Sequence, residues 1–126
     1  MTSEGGGAAG PRTYHVLVER QDETHARASS HGHTLTLGVH RGDPTAGFNA
    51  AETLLAAFGA CLITNVNALA AKMRLQVNGV RVDVEGDRRD EPPGIVQVRY
   101  HLFLDSPELP DKLEKLHEMA FKWGTV

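Results

Sequence analysis

Several segments of the chain alternate apolar and polar residues with the period of a half-buried β-strand. Residues 33–39 place Leu35, Leu37 and Val39 between small or polar residues, which predicts one such strand. Valines alternate with charged residues over 80–85, and apolar residues recur at every second position of 96–104. These two runs predict a long antiparallel pair, joined by a charged turn over residues 87–94 that ends in Pro-Pro-Gly.

Two shorter strands are predicted nearer the N-terminus. Residues 14–18 are β-branched and aromatic, residues 19–24 are polar and turn-like, and a second strand is expected over 25–30 before a turn at His31-Gly32. Glycine and proline mark 41–47 as a loop. Residues 1–12 are rich in Gly, Ala and Ser and are expected to form a disordered leader. Residues 13–126 are then expected to form one domain.

The most apolar stretch predicts a helix from residue 50 to about Met73, with Asn49 as N-cap and Glu52 in the capping-box position. Apolar side chains fall on nearly all faces of this helix, so we expect it to be covered on most sides. Its uncharged run from Leu54 to Ala71 is also the chain's one candidate for a membrane span. The threonine and asparagines within that run would be costly in hydrocarbon and favour a buried helix in a soluble core.

A second helix is predicted after the last strand. Ser106 suits its N-cap and Pro107 its first position. Leucine and alanine then recur on one side of the helix, at positions 109, 113, 116 and 120. The order of strands, helix, strands and helix predicts an α+β domain built from antiparallel sheets.

Composition excludes several classes of function. The net charge of −3 gives no electrostatic reason to expect binding to nucleic acid or to an anionic membrane. A single cysteine excludes an internal disulfide framework and suits a reducing, cytoplasmic compartment. No basic segment precedes an apolar one near the N-terminus, so no signal peptide is predicted.

Cys61, the single cysteine, is the main candidate for chemistry. Only the thiolate is nucleophilic, and apolar surroundings disfavour it, so reactivity would require a nearby cation. Histidines and three arginines are available, namely Arg20, Arg27 and Arg41. Glu52 lies nine residues earlier, roughly 13.5 Å along the axis and on the opposite side of the helix, so the two side chains cannot meet within it. An inert core cysteine remains the alternative.

Metal binding is a weaker hypothesis. His31 and His33 would lie on one face if the strand were continuous, but two histidines without a spaced carboxylate or thiol form a weak signal. His117 is expected at the edge of the last helix, beside its leucines.

Residues 49–61, which read Asn-Ala-Ala-Glu-Thr-Leu-Leu-Ala-Ala-Phe-Gly-Ala-Cys, resemble the OsmC/Ohr family. The resemblance extends to Gly-His-Thr-Leu at 32–35, to Val-Asp-Val-Glu-Gly at 82–86 and to the end of the last helix. It implies an OsmC-like α+β fold around a central buried helix, in two intertwined chains that form an obligate homodimer. It also implies thiol-dependent reduction of hydroperoxides, organic ones above all, with no cofactor or metal.

The same resemblance assigns roles to individual residues. Cys61 would attack the peroxide and become a sulfenic acid. Glu52 matches a glutamate that holds a thiolate-stabilising arginine, for which Arg27 is our choice. Gly124 stands where the family carries its second cysteine, so an external thiol or dithiol would have to act as the reductant. The alternative is a member without peroxidase activity that binds a small hydrophobic ligand at the dimer interface, with Cys61 as packing.

Overall fold

The computed structural model describes residues 10–126, which divide into two compact units, one up to Ala50 and one from Ala51 onwards. The elements are β1 (Leu17–Arg20), β2 (His25–Ser30), β3 (His33–Gly38), α1 (Ala50–Met73), β4 (Gly79–Asp90), β5 (Pro93–Asp105) and α2 (Pro110–Lys122). The predicted α+β class with antiparallel sheets is confirmed. Most of the expected leader lies outside the described residues. Its disorder, and the single domain over 13–126, stay predictions.

The first unit is an antiparallel sheet in the order β1-β2-β3. His31 and Gly32 form its second turn, with left-handed φ values of 52° and 81°, as two-residue hairpin turns require. Asp22 closes the first turn by accepting hydrogen bonds from the backbone N–H groups of Thr24 and His25, both at 2.9 Å. These bonds, with those from the two side chains, hold the pKa of the Asp22 carboxyl well below its usual range.

The first strand was predicted too early in the chain. It begins at Leu17 rather than at Tyr14, whose side chain is 75% exposed. The pairing with β2 runs from Leu17 opposite Ser29 to Arg20 opposite Ala26. The ladder therefore extends into polar residues next to the turn, where alternation of apolar residues gives no signal.

The second unit contains the β4–β5 hairpin. The predicted alternation is confirmed, since Val82 pairs with Leu102 and Val84 with Tyr100 on one face. The charged turn predicted over 87–94 is wrong, because β4 continues to Asp90 and only residues 91 and 92 make the turn. The charged residues 87–90 are exposed, so this strand end is solvated and needs no apolar alternation.

Helix α1 buries a single stripe within the chain, formed by Gly59, Leu62, Val66 and Ala70. Gly59 lies in this stripe because β4 comes close, and a Cβ added there would be 3.5 Å from Val84 Cγ2. Residues 10–126 of one chain do not provide the expected cover on most sides of this helix. By length and composition alone α1 could also cross a membrane, a test that core helices of soluble proteins pass too.

Helix α2 begins at Pro110, three residues later than predicted. Proline disfavours helical backbone at the residue before it, and Leu109 is accordingly extended at φ −67° and ψ 145°. The Ser106 hydroxyl instead accepts the Glu108 N–H at 3.1 Å and donates to the carbonyl of Gln76. The serine thus closes a turn ahead of the helix and ties it to the segment that follows α1.

The core of the second unit lies between its two helices. Val66 and Ala70 of α1 pack with Leu116 and Ala120 of α2. Partly buried residues surround this cluster on the hairpin side and beyond the end of α1: Leu75, Val77, Val80, Leu102 and Leu104. This packing fixes the C-terminal end of α2 alongside the middle of α1.

Candidate functional site

Cys61 lies half-buried in the middle of α1, facing the segment that follows α2. The backbone N–H of Thr125 donates a hydrogen bond to Cys61 Sγ, with 3.3 Å between nitrogen and sulfur. The sulfur therefore serves as a hydrogen-bond acceptor for the backbone of the segment after α2.

The segment after α2 is held in place one helical turn from Cys61. Asn65 Nδ2 donates to the carbonyl oxygen of Ala120 at 3.0 Å. The N–H of Trp123 donates to the Met119 carbonyl, and that of Gly124 to the Phe121 carbonyl. Thr125 is then the first residue whose N–H is directed to the sulfur of α1 instead of back to a carbonyl of α2.

Gly124 leaves space at the sulfur. A Cβ added to it would lie 3.3 Å from Cys61 Sγ and 3.5 Å from the Phe121 carbonyl oxygen. A side chain at position 124 would therefore begin beside the thiol. The correspondence of Gly124 to the second cysteine of the family stays a prediction.

An aromatic cluster lies in the same unit, next to α1 and α2. The Tyr100 ring makes an edge contact with Phe58, at 5.4 Å between centroids, and stacks on Phe121 at 5.8 Å. The Tyr100 hydroxyl and His117 Nε2 are 2.7 Å apart and share a hydrogen bond. Burial raises the pKa of Tyr100, so the hydroxyl stays protonated well above neutral pH.

Phe58 lies about one helical turn before Cys61 on α1, and Phe121 precedes Gly124 by three residues. The sequence placed residue 100 among the alternating apolar positions of its strand and His117 at a helix edge. It gave no sign of the bond between them. Such a contact depends on how the hairpin packs on α2.

The other predicted site residues lie apart along the chain. Glu52 is exposed in the first turn of α1, more than two turns before Cys61. Arg27 is exposed on β2 in the first unit, flanked by the buried Ala26 and Ala28. The pairing of Arg27 with Cys61, and the role of Glu52 in it, stay predictions.

The arrangement proposed for a histidine metal site is not formed. His31 lies in the turn with left-handed backbone and only His33 belongs to β3, so the two do not share one continuous strand. Over residues 10–126, His, Cys, Asp and Glu side chains make no cluster of three or more that could hold a metal ion.

Comparison with known proteins identifies the fold and the family. The chain is 22% identical over 115 residues to a hydroperoxide reductase of Mycoplasma genitalium, which covers 88% of this chain and 82% of that protein. The crystal structure of an OsmC-like protein from Mycoplasma pneumoniae superposes with a TM-score of 0.82 at 19% identity, over 90% of this chain and 84% of the other.

A more distant likeness is to the organic hydroperoxide resistance protein OhrB of Bacillus subtilis. It has a TM-score of 0.60 at 16% identity, over 90% of this chain and 87% of that one. The family model described as OsmC-like protein matches residues 41–126, which include Cys61, the hairpin, α2 and the segment after it. The chain therefore belongs to the OsmC-like protein family.

Proposed function

We propose that this protein reduces organic hydroperoxides, with Cys61 as the thiol that attacks the peroxide and an external thiol or dithiol as the reductant. The observation that carries the proposal is the hydrogen bond from the Thr125 N–H to Cys61 Sγ, since an inert packing cysteine needs no donor. Family membership and the relative named hydroperoxide reductase support the same chemistry.

In the reaction, the Cys61 thiolate attacks the terminal oxygen of the hydroperoxide and the O–O bond breaks. The alkoxide that leaves takes a proton from water and becomes an alcohol. The sulfur becomes a sulfenic acid, and two equivalents of external thiol return it to the thiol. The organic part of the substrate is proposed to contact the aromatic cluster of Phe58, Tyr100 and Phe121, in which Phe58 lies three residues before Cys61. Arg27 and Glu52 are proposed to support the thiolate.

We also propose that the protein acts as a cytoplasmic homodimer. Exposed apolar side chains occur in both units, among them Leu54 on α1 at 50% exposure and Phe48 at 56%. A second chain would cover the faces of α1 that one chain leaves open. Sedimentation at micromolar concentration should give twice the 13.7 kDa of the single chain.

The proposal is tested by intact-mass spectrometry after brief exposure to cumene hydroperoxide with a sulfenic-acid trap, on wild type and Cys61→Ser. We expect a trapped adduct in wild type alone, and consumption of the hydroperoxide that requires added thiol. Arg20→Met, Arg27→Met and Arg41→Met form a matched series. If Arg27 stabilises the thiolate, only its substitution slows the reaction.

A second candidate function is binding of a small hydrophobic ligand by a protein whose thiol takes no part. Gly124, at the position where a resolving cysteine would lie beside Cys61, favours it. A thiol that gives no adduct with any hydroperoxide, and reacts with alkylating reagents only after unfolding, would establish this function and exclude the first.

A further inference from the structure

Resting on the proposed function, we infer that the backbone nitrogen of Thr125 takes the place of the missing resolving cysteine, closing a reversible sulfur–nitrogen bond with oxidised Cys61. This cyclic sulfenamide would protect the sulfur until an external thiol arrives.

Two observations and one rule of sulfur chemistry carry it. The nitrogen lies 3.3 Å from Cys61 Sγ, at van der Waals contact. No second cysteine in the sequence competes for a sulfenic acid at this site. Sulfenic acids condense either with a thiol or with a backbone nitrogen, so the second route is the one within reach.

Gly124 supplies the freedom that the step requires. The Thr125 N–H now points at sulfur, whereas the electron pair of a planar peptide nitrogen lies perpendicular to that direction. The peptide between Gly124 and Thr125 must therefore turn before the nitrogen can attack. Glycine has the widest choice of backbone angles, and this one has no Cβ to collide with the sulfur during the turn. Thr125 is also exposed and lies beyond the last helical residue.

The step conserves atoms and electrons. A hydroperoxide first transfers an oxygen to Cys61, oxidising sulfur by two electrons and releasing an alcohol. The Thr125 nitrogen then bonds to sulfur, the S–O bond breaks, and the hydroxyl group leaves with the amide proton as water. An external thiol next bonds to Cys61 Sγ and returns a proton to the nitrogen. A second thiol completes the reduction and leaves as a disulfide with the first.

The experiment follows the mass of the full chain during oxidation by excess hydrogen peroxide without added thiol. Wild type should lose about 2 Da, whereas a sulfenic acid adds about 16 Da and a sulfinic acid about 32 Da. Trypsin should then leave the peptide that begins at Trp123 attached to the peptide that contains Cys61, and dithiothreitol should release it.

Thr125→Pro removes the N–H and should give the sulfinic acid without the lighter species. Thr125→Ala, the matched control, keeps the N–H and should still give the lighter species. Sulfenic or sulfinic acid in wild type with no lighter species would overturn the inference, as would the lighter species persisting in Thr125→Pro. A thiol left unmodified would overturn it as well.

Failure of the proposed function is recognised separately, from the rate of oxidation. An organic hydroperoxide that oxidises wild type no faster than it oxidises free cysteine would defeat the peroxidase function. The product formed with hydrogen peroxide would still decide whether the sulfenamide forms.

Discussion

Replacing Gly124 with cysteine should restore an intrachain disulfide to Cys61. A Cβ at position 124 lies 3.3 Å from Cys61 Sγ. In a disulfide, bond lengths and angles place each Cβ about 3 Å from the far sulfur. The new side chain therefore needs a shift of only a few tenths of an ångström, which the exposed segment after α2 can make.

The gain in stability can be worked from the length of the loop that the bond closes. Cys61 and residue 124 enclose about 60 residues, for which the loss of chain entropy in the unfolded state predicts about 4 kcal/mol. Measured gains fall below this value when the native geometry is strained. We therefore expect the free energy of unfolding of oxidised Gly124→Cys to exceed that of its reduced form by about 2–4 kcal/mol.

Urea denaturation of the oxidised and reduced forms measures this difference. Gly124→Ser is the matched control, because it adds a side chain of similar size that cannot bond to sulfur. Mass spectrometry should show a loss of about 2 Da and no covalent dimer. Two free thiols after oxidation, or a disulfide only between chains, would show that Gly124 does not lie beside Cys61 in solution.

Two further predictions concern the packing behind the site. Leu116→Ala should lower the free energy of unfolding by about 3 kcal/mol in urea denaturation, because Leu116 is fully buried. The control Leu109→Ala, at a position that is 64% exposed, should change it by less than about 0.5 kcal/mol. Tyr100→Phe should cost about 1 kcal/mol at neutral pH through loss of the hydrogen bond to His117. Burial raises the pKa of Tyr100 in the folded protein above the ordinary value of 10.0. The contribution of the protonated hydroxyl to the free energy of unfolding is therefore complete below pH 10.0 and declines as pH rises above it. The difference in free energy of unfolding between wild type and Tyr100→Phe should therefore shrink above pH 10.0. The control Tyr14→Phe, which changes an exposed tyrosine, should match wild type at every pH. A difference that stays constant above pH 10.0 would contradict a raised pKa of Tyr100.

The sequence predicted elements well where one face is buried and poorly where none is. Alternation in the β4–β5 hairpin is visible because Val82 approaches Gly59 of α1 and Leu102 packs against the cluster between the two helices. The outer end of β4 up to Asp90 carries charges on both faces, so pairing there follows from the hairpin alone and leaves no apolar period. The sequence does contain the signal for the late start of α2, because Pro110 makes helical backbone unfavourable at Leu109.

Of the two groups that meet at the site, the sequence predicted the Cys61 thiol but not its backbone partner. Cys61 is visible because its chemistry resides in a side chain, and the resemblance of its helix singled it out. Its observed partner is the N–H of Thr125, a group that every residue except proline carries, so no sequence motif can mark it. That N–H reaches the sulfur because α2 packs on α1 through Leu116 and Ala120, which are fully buried. Lack of a second cysteine therefore does not by itself mean that the thiol lacks a partner, since the same segment that could carry a cysteine presents a backbone nitrogen at 3.3 Å.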